Sequence, residues 1–155
     1  RLDLTLNENK TRIVDARKES FNFLGFEIRV SKSWRTGRRY SHVAPTPKAL
    51  AKIKESIKQK TDRKLTPIPL DDVVRNLNAS LRGWAGYFHY RNSSKVLDKV
   101  KSHAENRLRN HLMKPHKIRN REEALKRFSR RKLYADYGLF KVPVKTRWKS
   151  AHAVV

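Results

Sequence analysis

The run Lys132 to Phe140, KLYADYGLF, sets an aspartate between two tyrosines in a very basic chain. An aspartate in a turn is the type of residue that holds a divalent cation for two-metal nucleotidyl transfer. That chemistry needs several carboxylates converging on the metal pair. Tyr134-Ala135-Asp136-Tyr137 supplies one Asp, and it falls at the end of a helical pattern, so it reads as a chance look-alike. The histidines offer no alternative: His111 and His116 are separated across Pro115, a poor ligand spacing, with no acidic or thiol cluster to complete them. Nothing resembles a nucleophile triad or a glycine-rich phosphate loop.

Binding chemistry is better represented. The chain carries 38 Lys and Arg against 14 Asp and Glu, a formal net charge of +24. A surplus of that size repels itself, and its natural counterpart is a polyanion. The basic residues run the whole length and are not gathered on one amphipathic helix with a bulky apolar face, which favours nucleic acid over a membrane surface. Segment 101–132 alone holds twelve Lys and Arg against three Glu. Cysteine is absent, which removes disulfides, thiolate zinc sites and cysteine nucleophiles and fits a reducing compartment. No stretch of about 18 apolar residues spans a membrane. The opening RLDLTLNENK lacks the apolar core of a signal peptide. With no Met at position 1, the 155 residues are expected to be cut from a longer chain.

The elements that must position these charges follow from periodicity. Hydrophobic content is 37%, low but spread among three Trp, five Tyr and six Phe at regular spacings, as in a folded chain with a modest core. Phe21, Phe23, Phe26, Ile28 and Val30 mark a partly buried strand. Thr36-Gly37 reads as a hairpin loop. Thr46-Pro47 then caps and opens a helix with Leu50, Ile53 and Ile57 on its apolar stripe, ending near Thr61 to Leu65. Pro67-Ile68-Pro69 is a stiff linker.

A second helix carries Leu70, Val73, Leu77, Leu81, Trp84 and Phe88 at three-and-four spacing. Gly83 and Gly86 would let another backbone approach it, and Arg82, Tyr87 and Arg91 project away from its apolar side. A third helix starts after Ser93 or Ser94, buries Leu97, Val100, Ala104, Leu108 and Leu112, and stops before Pro115. Asn120 with Glu123 resembles a capping box for a fourth, in which Leu125 and Phe128 face inward while Lys126, Arg127, Arg130 and Arg131 cluster opposite. Gly138 stops it, and 139–144 is extended. The fold class is α+β: a short N-terminal β segment followed by a three- to four-helix bundle. The divisions are 1–45, 46–135 and a basic tail, 136–155.

Three segments carry a family resemblance. LTLNENKTRIV (Leu4 to Val14), FNFLGFEI (Phe21 to Ile28) and LNASLRGWAGYFHYRNSS (Leu77 to Ser94), continued by RLRNHL and YGLFKVP, resemble the last palm motifs and maturase-specific thumb of group II intron reverse transcriptases. The similarity covers nearly the whole chain, and the order of the motifs makes it specific. It implies that Lys10 lies near the phosphates of an incoming nucleotide, where a compact cation suits a leaving pyrophosphate. It also implies that Phe23, Leu24, Gly25 and Phe26 form a primer grip, with the Phe side chains inward and the Gly25 backbone facing the primer. YADY falls where the family has its YGL segment, so the catalytic aspartates are expected before Arg1.

The resemblance makes RNA the polyanion: group II intron RNA or a template-primer duplex. Candidate contacts are Arg82, Tyr87, Arg91, Arg107, Arg109, Lys126, Arg127, Arg130 and Arg131. Arg binds phosphate bidentately and aromatic rings stack on unpaired bases. By the same resemblance the intact protein uses Mg²⁺ to copy RNA into DNA and assists splicing, in a bacterial cytoplasm or an organelle. This chain alone is expected to bind no cofactor and to be inactive as a polymerase. Alternatives are a non-catalytic RNA-binding scaffold and a related reverse transcriptase of a CRISPR or phage-defence system. Oligomeric state is left open.

Overall fold

The computed structural model describes residues 13–146. Three antiparallel strands, β1 (Phe21–Phe23), β2 (Phe26–Lys32) and β3 (Arg39–Pro45), form a sheet in the order β1-β2-β3. Five helices follow: α1 (Pro47–Lys60), α2 (Leu70–Phe88), α3 (Ser94–Met113), α4 (Arg121–Arg127) and α5 (Arg130–Ala135). This is the α+β architecture expected. The LTLNENK segment with Lys10, and the chain beyond Thr146, lie outside the described residues.

The phenylalanine-rich strand is in fact two strands. Leu24 and Gly25 both adopt positive φ, 48° and 82°, and turn the chain back so that Phe23 pairs with Phe26. Two consecutive left-handed residues match the right-handed twist of a two-residue hairpin. The sequence carried a trace of this break: Phe21 and Phe23 are in phase with each other, but Phe26 is three residues on, out of period two. Gly37, at φ 67°, closes the second hairpin as expected.

Thr46 caps α1, its Oγ1 accepting from the Ala49 N–H at 3.1 Å, and Pro47 fills the first turn where no N–H is required. Ile53 and Ile57 of α1, Val74, Leu77, Leu81 and Ala85 of α2, and Leu97, Val100, Ala104, Leu108 and Leu112 of α3 join one buried cluster. Trp84, expected inside with them, is only partly buried and lies 4.6 Å from the Phe88 ring. Gly83 and Gly86 face open space, with nothing within 4 Å of a Cβ built on either, so they mediate no close backbone packing among the described residues.

The expected fourth helix is broken at Phe128 and Ser129 into α4 and α5. Phe128 ends α4 at φ −109° and ψ 61°, Ser129 caps α5 by accepting from the Lys132 N–H, and buried Arg109 of α3 donates from Nε to the Phe128 carbonyl at 3.0 Å, tying the break to α3. Ala124 and Phe128 supply the buried stripe of α4, whereas Leu125, expected inward, is 45% exposed because one residue of helix rotates it off that stripe. Residues 138–142, after α5, pack back on the bundle. Asn78 of α2 clamps them through Nδ2 to the Gly138 carbonyl (2.8 Å) and Oδ1 from the Phe140 N–H (2.7 Å), and Leu139 and Val142 are buried.

Candidate nucleic-acid interface

The turn of the first hairpin rests against the C-terminal end of α2. Phe26 packs on Tyr87, Phe88 and Tyr90 at ring separations of 5.8, 5.0 and 6.2 Å. The Tyr87 hydroxyl donates to the Leu24 carbonyl at 2.9 Å, linking residues 63 apart in sequence. A non-glycine left-handed residue costs roughly 1–2 kcal/mol, and that hydrogen bond offsets part of the strain at Leu24. A Cβ on Gly25 would lie 3.2 Å from Phe88 Cζ, so the close approach that glycine permits is to this ring. Its carbonyl accepts from the Thr46 N–H at 2.9 Å.

Phe23 and Leu24 point outward, at 59% and 67% exposure, against the expectation that the phenylalanines of this segment pack inward. With Phe26, Ile28, Tyr87 and Tyr90 they line an open groove of about 640 Å³. Arg91 stands at its edge with φ 42°, its guanidinium over the Tyr90 ring at 5.3 Å and Nη1 3.4 Å from Ser41 Oγ. Asn92 accepts from the Val43 N–H at 3.2 Å, fixing β3 to the link between α2 and α3.

The other candidate cations divide by what already holds them. Arg82 lies over the Phe140 ring at 5.4 Å and keeps its guanidinium at the surface. Arg107 braces the end of α1, donating to Thr61 Oγ1 at 3.2 Å and the Lys58 carbonyl at 3.3 Å. It also lines a basic cavity of about 600 Å³ with Lys58, Arg63 and Arg121. Arg109 is 6% exposed and turned into the core, where burial lowers its pKa. Arg130 donates to Glu105 Oε2 at 2.8 Å. Lys126, Arg127 and Arg131 are exposed, and none forms an ion pair with a described residue.

Glu105, which sequence reasoning passed over, organises this region. It is 2% exposed on α3 and accepts from Tyr134 at 2.5 Å as well as from Arg130. Burial, followed by that hydrogen bond, pushes the Tyr134 phenol well above its usual range. Its signal in the sequence was a lone acid beside Ala104 on the buried stripe of a basic helix. Tyr134 is therefore a structural donor, and Asp136 is the C-cap of α5, not part of a strand turn. Among the described residues no three His, Asp or Glu come together to hold a metal ion, so these residues do not fit a Mg²⁺ pair. No described helix is long and apolar enough to cross a membrane.

The fold is thus a basic helical bundle with a small antiparallel sheet docked at the end of its second helix. The family defined by the group II intron, maturase-specific domain matches residues 50–129, just over half of the 155, from the first turn of α1 to the break before α5. The chain belongs to that family. No curated protein matches it.

Proposed function

We propose that this chain is the RNA-binding C-terminal part of a group II intron reverse transcriptase and maturase, the sheet gripping a primer end and the bundle holding RNA by its phosphates. One observation carries the reading: the Leu24-Gly25 turn, which the family resemblance assigns to the primer grip, is bonded directly to Tyr87 at the end of the maturase-specific helix α2. Grip and thumb then move as a unit. Exposed Phe23 and Leu24 offer apolar surface to a terminal sugar and base, and Arg91 at the groove edge meets the adjoining phosphate. Arg82, Lys126, Arg127 and Arg131 neutralise phosphates further along, each releasing counterions. Arg109 and Arg130 act indirectly, by fixing α4 and α5 on α3. Intron RNA is the expected partner, read by shape. Mg²⁺ and the polymerase carboxylates belong to the remainder of the intact enzyme, with Lys10 beside the incoming nucleotide.

The test is a titration of the chain against a structured group II intron RNA and an unrelated RNA of equal length across a salt series. Preference for the intron RNA that persists at high salt is the expected result. Equal affinities that collapse together with salt would overturn the maturase reading and leave a non-specific basic bundle.

A further inference from the structure

The tip of the second hairpin bears a feature that the groove and the bundle do not use. Trp34 is 96% exposed, so its indole contributes nothing to the core. Its large ring offers apolar area and a flat π-face that a partner could cover. The loop that carries it is closed on itself. Ser33 N–H donates to the Arg38 carbonyl at 2.9 Å, Gly37 N–H to the Ser33 carbonyl at 2.8 Å, and Thr36 N–H to Ser33 Oγ at 3.3 Å. The ring is therefore presented on a fixed loop.

Its surroundings say what would cover it. Lys32, Arg35, Arg38 and Arg39 are all exposed on the same hairpin, and none forms an ion pair with a described residue. No Asp or Glu occurs between Glu27 and Glu55. The sheet register sets Lys32 directly opposite Arg39, a like-charge pairing that destabilises a two-strand ribbon. A negatively charged partner relieves that repulsion, and a partner with flat unpaired rings fills the indole face. Single-stranded nucleic acid has both properties, whereas a duplex hides its base faces in the stack.

We infer that the β2–β3 hairpin is a single-strand RNA contact in which Trp34 stacks on an unpaired base while Lys32, Arg35, Arg38 and Arg39 hold the flanking phosphates. This rests on the RNA-binding reading above and adds a subsite on the sheet, outside the segment that matches the maturase-specific family. The stacked base is chosen for being unpaired, with no preference among bases, because every base has a π-face.

The experiment uses the full chain labelled with 5-fluorotryptophan, the Trp34 resonance being assigned as the one lost in Trp34→Phe. An unstructured RNA of about 12 nucleotides and a hairpin duplex of equal charge are titrated separately. The single strand is expected to shift the Trp34 resonance and the duplex to leave it in place. Trp34→Ala should weaken single-strand binding about 5- to 150-fold, change duplex binding less than about twofold, and leave thermal unfolding unchanged. Trp34→Tyr, which retains a stacking ring, should recover most of the loss. RNA binding with an unmoved Trp34 resonance, or an equal loss for both RNAs in Trp34→Ala, overturns the stacking subsite while the RNA-binding reading stands. Failure of the folded chain to bind either RNA overturns both.

Discussion

The bundle and the sheet solve opposite problems in one chain. In the bundle, helices α1 to α3 bury continuous apolar stripes, and two charged groups that enter the interior are matched, Glu105 by Tyr134 and Arg130 and Arg109 by the Phe128 carbonyl, while His103 Nε2 and His111 Nδ1 are buried without a hydrogen-bond partner among the described residues. In the sheet, the buried residues gather at the end of β3, Val43, Ala44 and Pro45 with the adjoining Thr46, while Phe23, Leu24 and Trp34 face outward. A chain of this charge can stay folded because its apolar packing lies between the helices while its unmatched cations, Lys126, Arg127 and Arg131 on the bundle and Lys32, Arg35, Arg38 and Arg39 on the sheet, lie on the outer surface.

That contrast can be broken most forcefully from the bundle side. Phe128→Ala empties a fully buried ring position between α3, α4 and the Tyr137 ring and should lower unfolding free energy by about 3–5 kcal/mol in a urea melt. Glu105→Ala comes next. It strips the partner from Tyr134 and Arg130 and removes an anion whose field acts on buried Arg109, with an expected loss of about 3 kcal/mol. Either result near zero would mean that α4 and α5 are not integral to the core.

Tyr87→Phe probes the joint between the two regions. Removing the single hydrogen bond to the Leu24 carbonyl should cost about 1 kcal/mol by calorimetry and weaken binding of a primer-template duplex. Unaltered duplex binding would detach the groove from recognition. Lys126, Arg127 and Arg131 replaced together by Ala should leave melting unchanged and flatten the log-log salt dependence of RNA binding by about two to three units. An unchanged slope would show that they meet only solvent. Arg130 is left out of that set because its charge is engaged by Glu105.

The smallest effect should come from acid. Burial holds the pKa of both His42 and His103 below the ordinary imidazole value, so the unfolded chain takes up protons before the folded one. Stability is therefore full above about pH 6.5 and declines as pH falls toward the folded values. His103→Gln should reduce that decline in melting temperature between pH 7 and 5, and an identical decline would assign it to other groups.

Much of this was legible in the residues. Thr46-Pro47 announces α1 because its capping chemistry is local, and the stripes of α2 and α3 are legible because burial on a helix repeats every three to four residues. The break at Phe128 was missed because its local mark is one serine, Ser129, inside a continuing basic pattern, and the Arg109 bond that ties it to α3 comes from another helix. Leu125 was misplaced for a related reason: Ala124, too small to stand out in a hydrophobic pattern, is the residue that faces the core. Of the candidate contacts, sequence selected Arg109 and Arg130 by charge alone, and charge does not say whether a guanidinium meets a ligand or a carbonyl.

By itself the sequence determined the class of fold, the sign and scale of the surface charge, and the family motifs, since each is written in local spacing or in composition. Only the tertiary structure decided which cations remain available, that Phe23 and Trp34 face outward, and that the Leu24-Gly25 turn is bonded to Tyr87. Those outcomes depend on contacts between segments tens of residues apart. A side chain's availability is fixed by its neighbours in space, and periodicity along the chain carries no record of them.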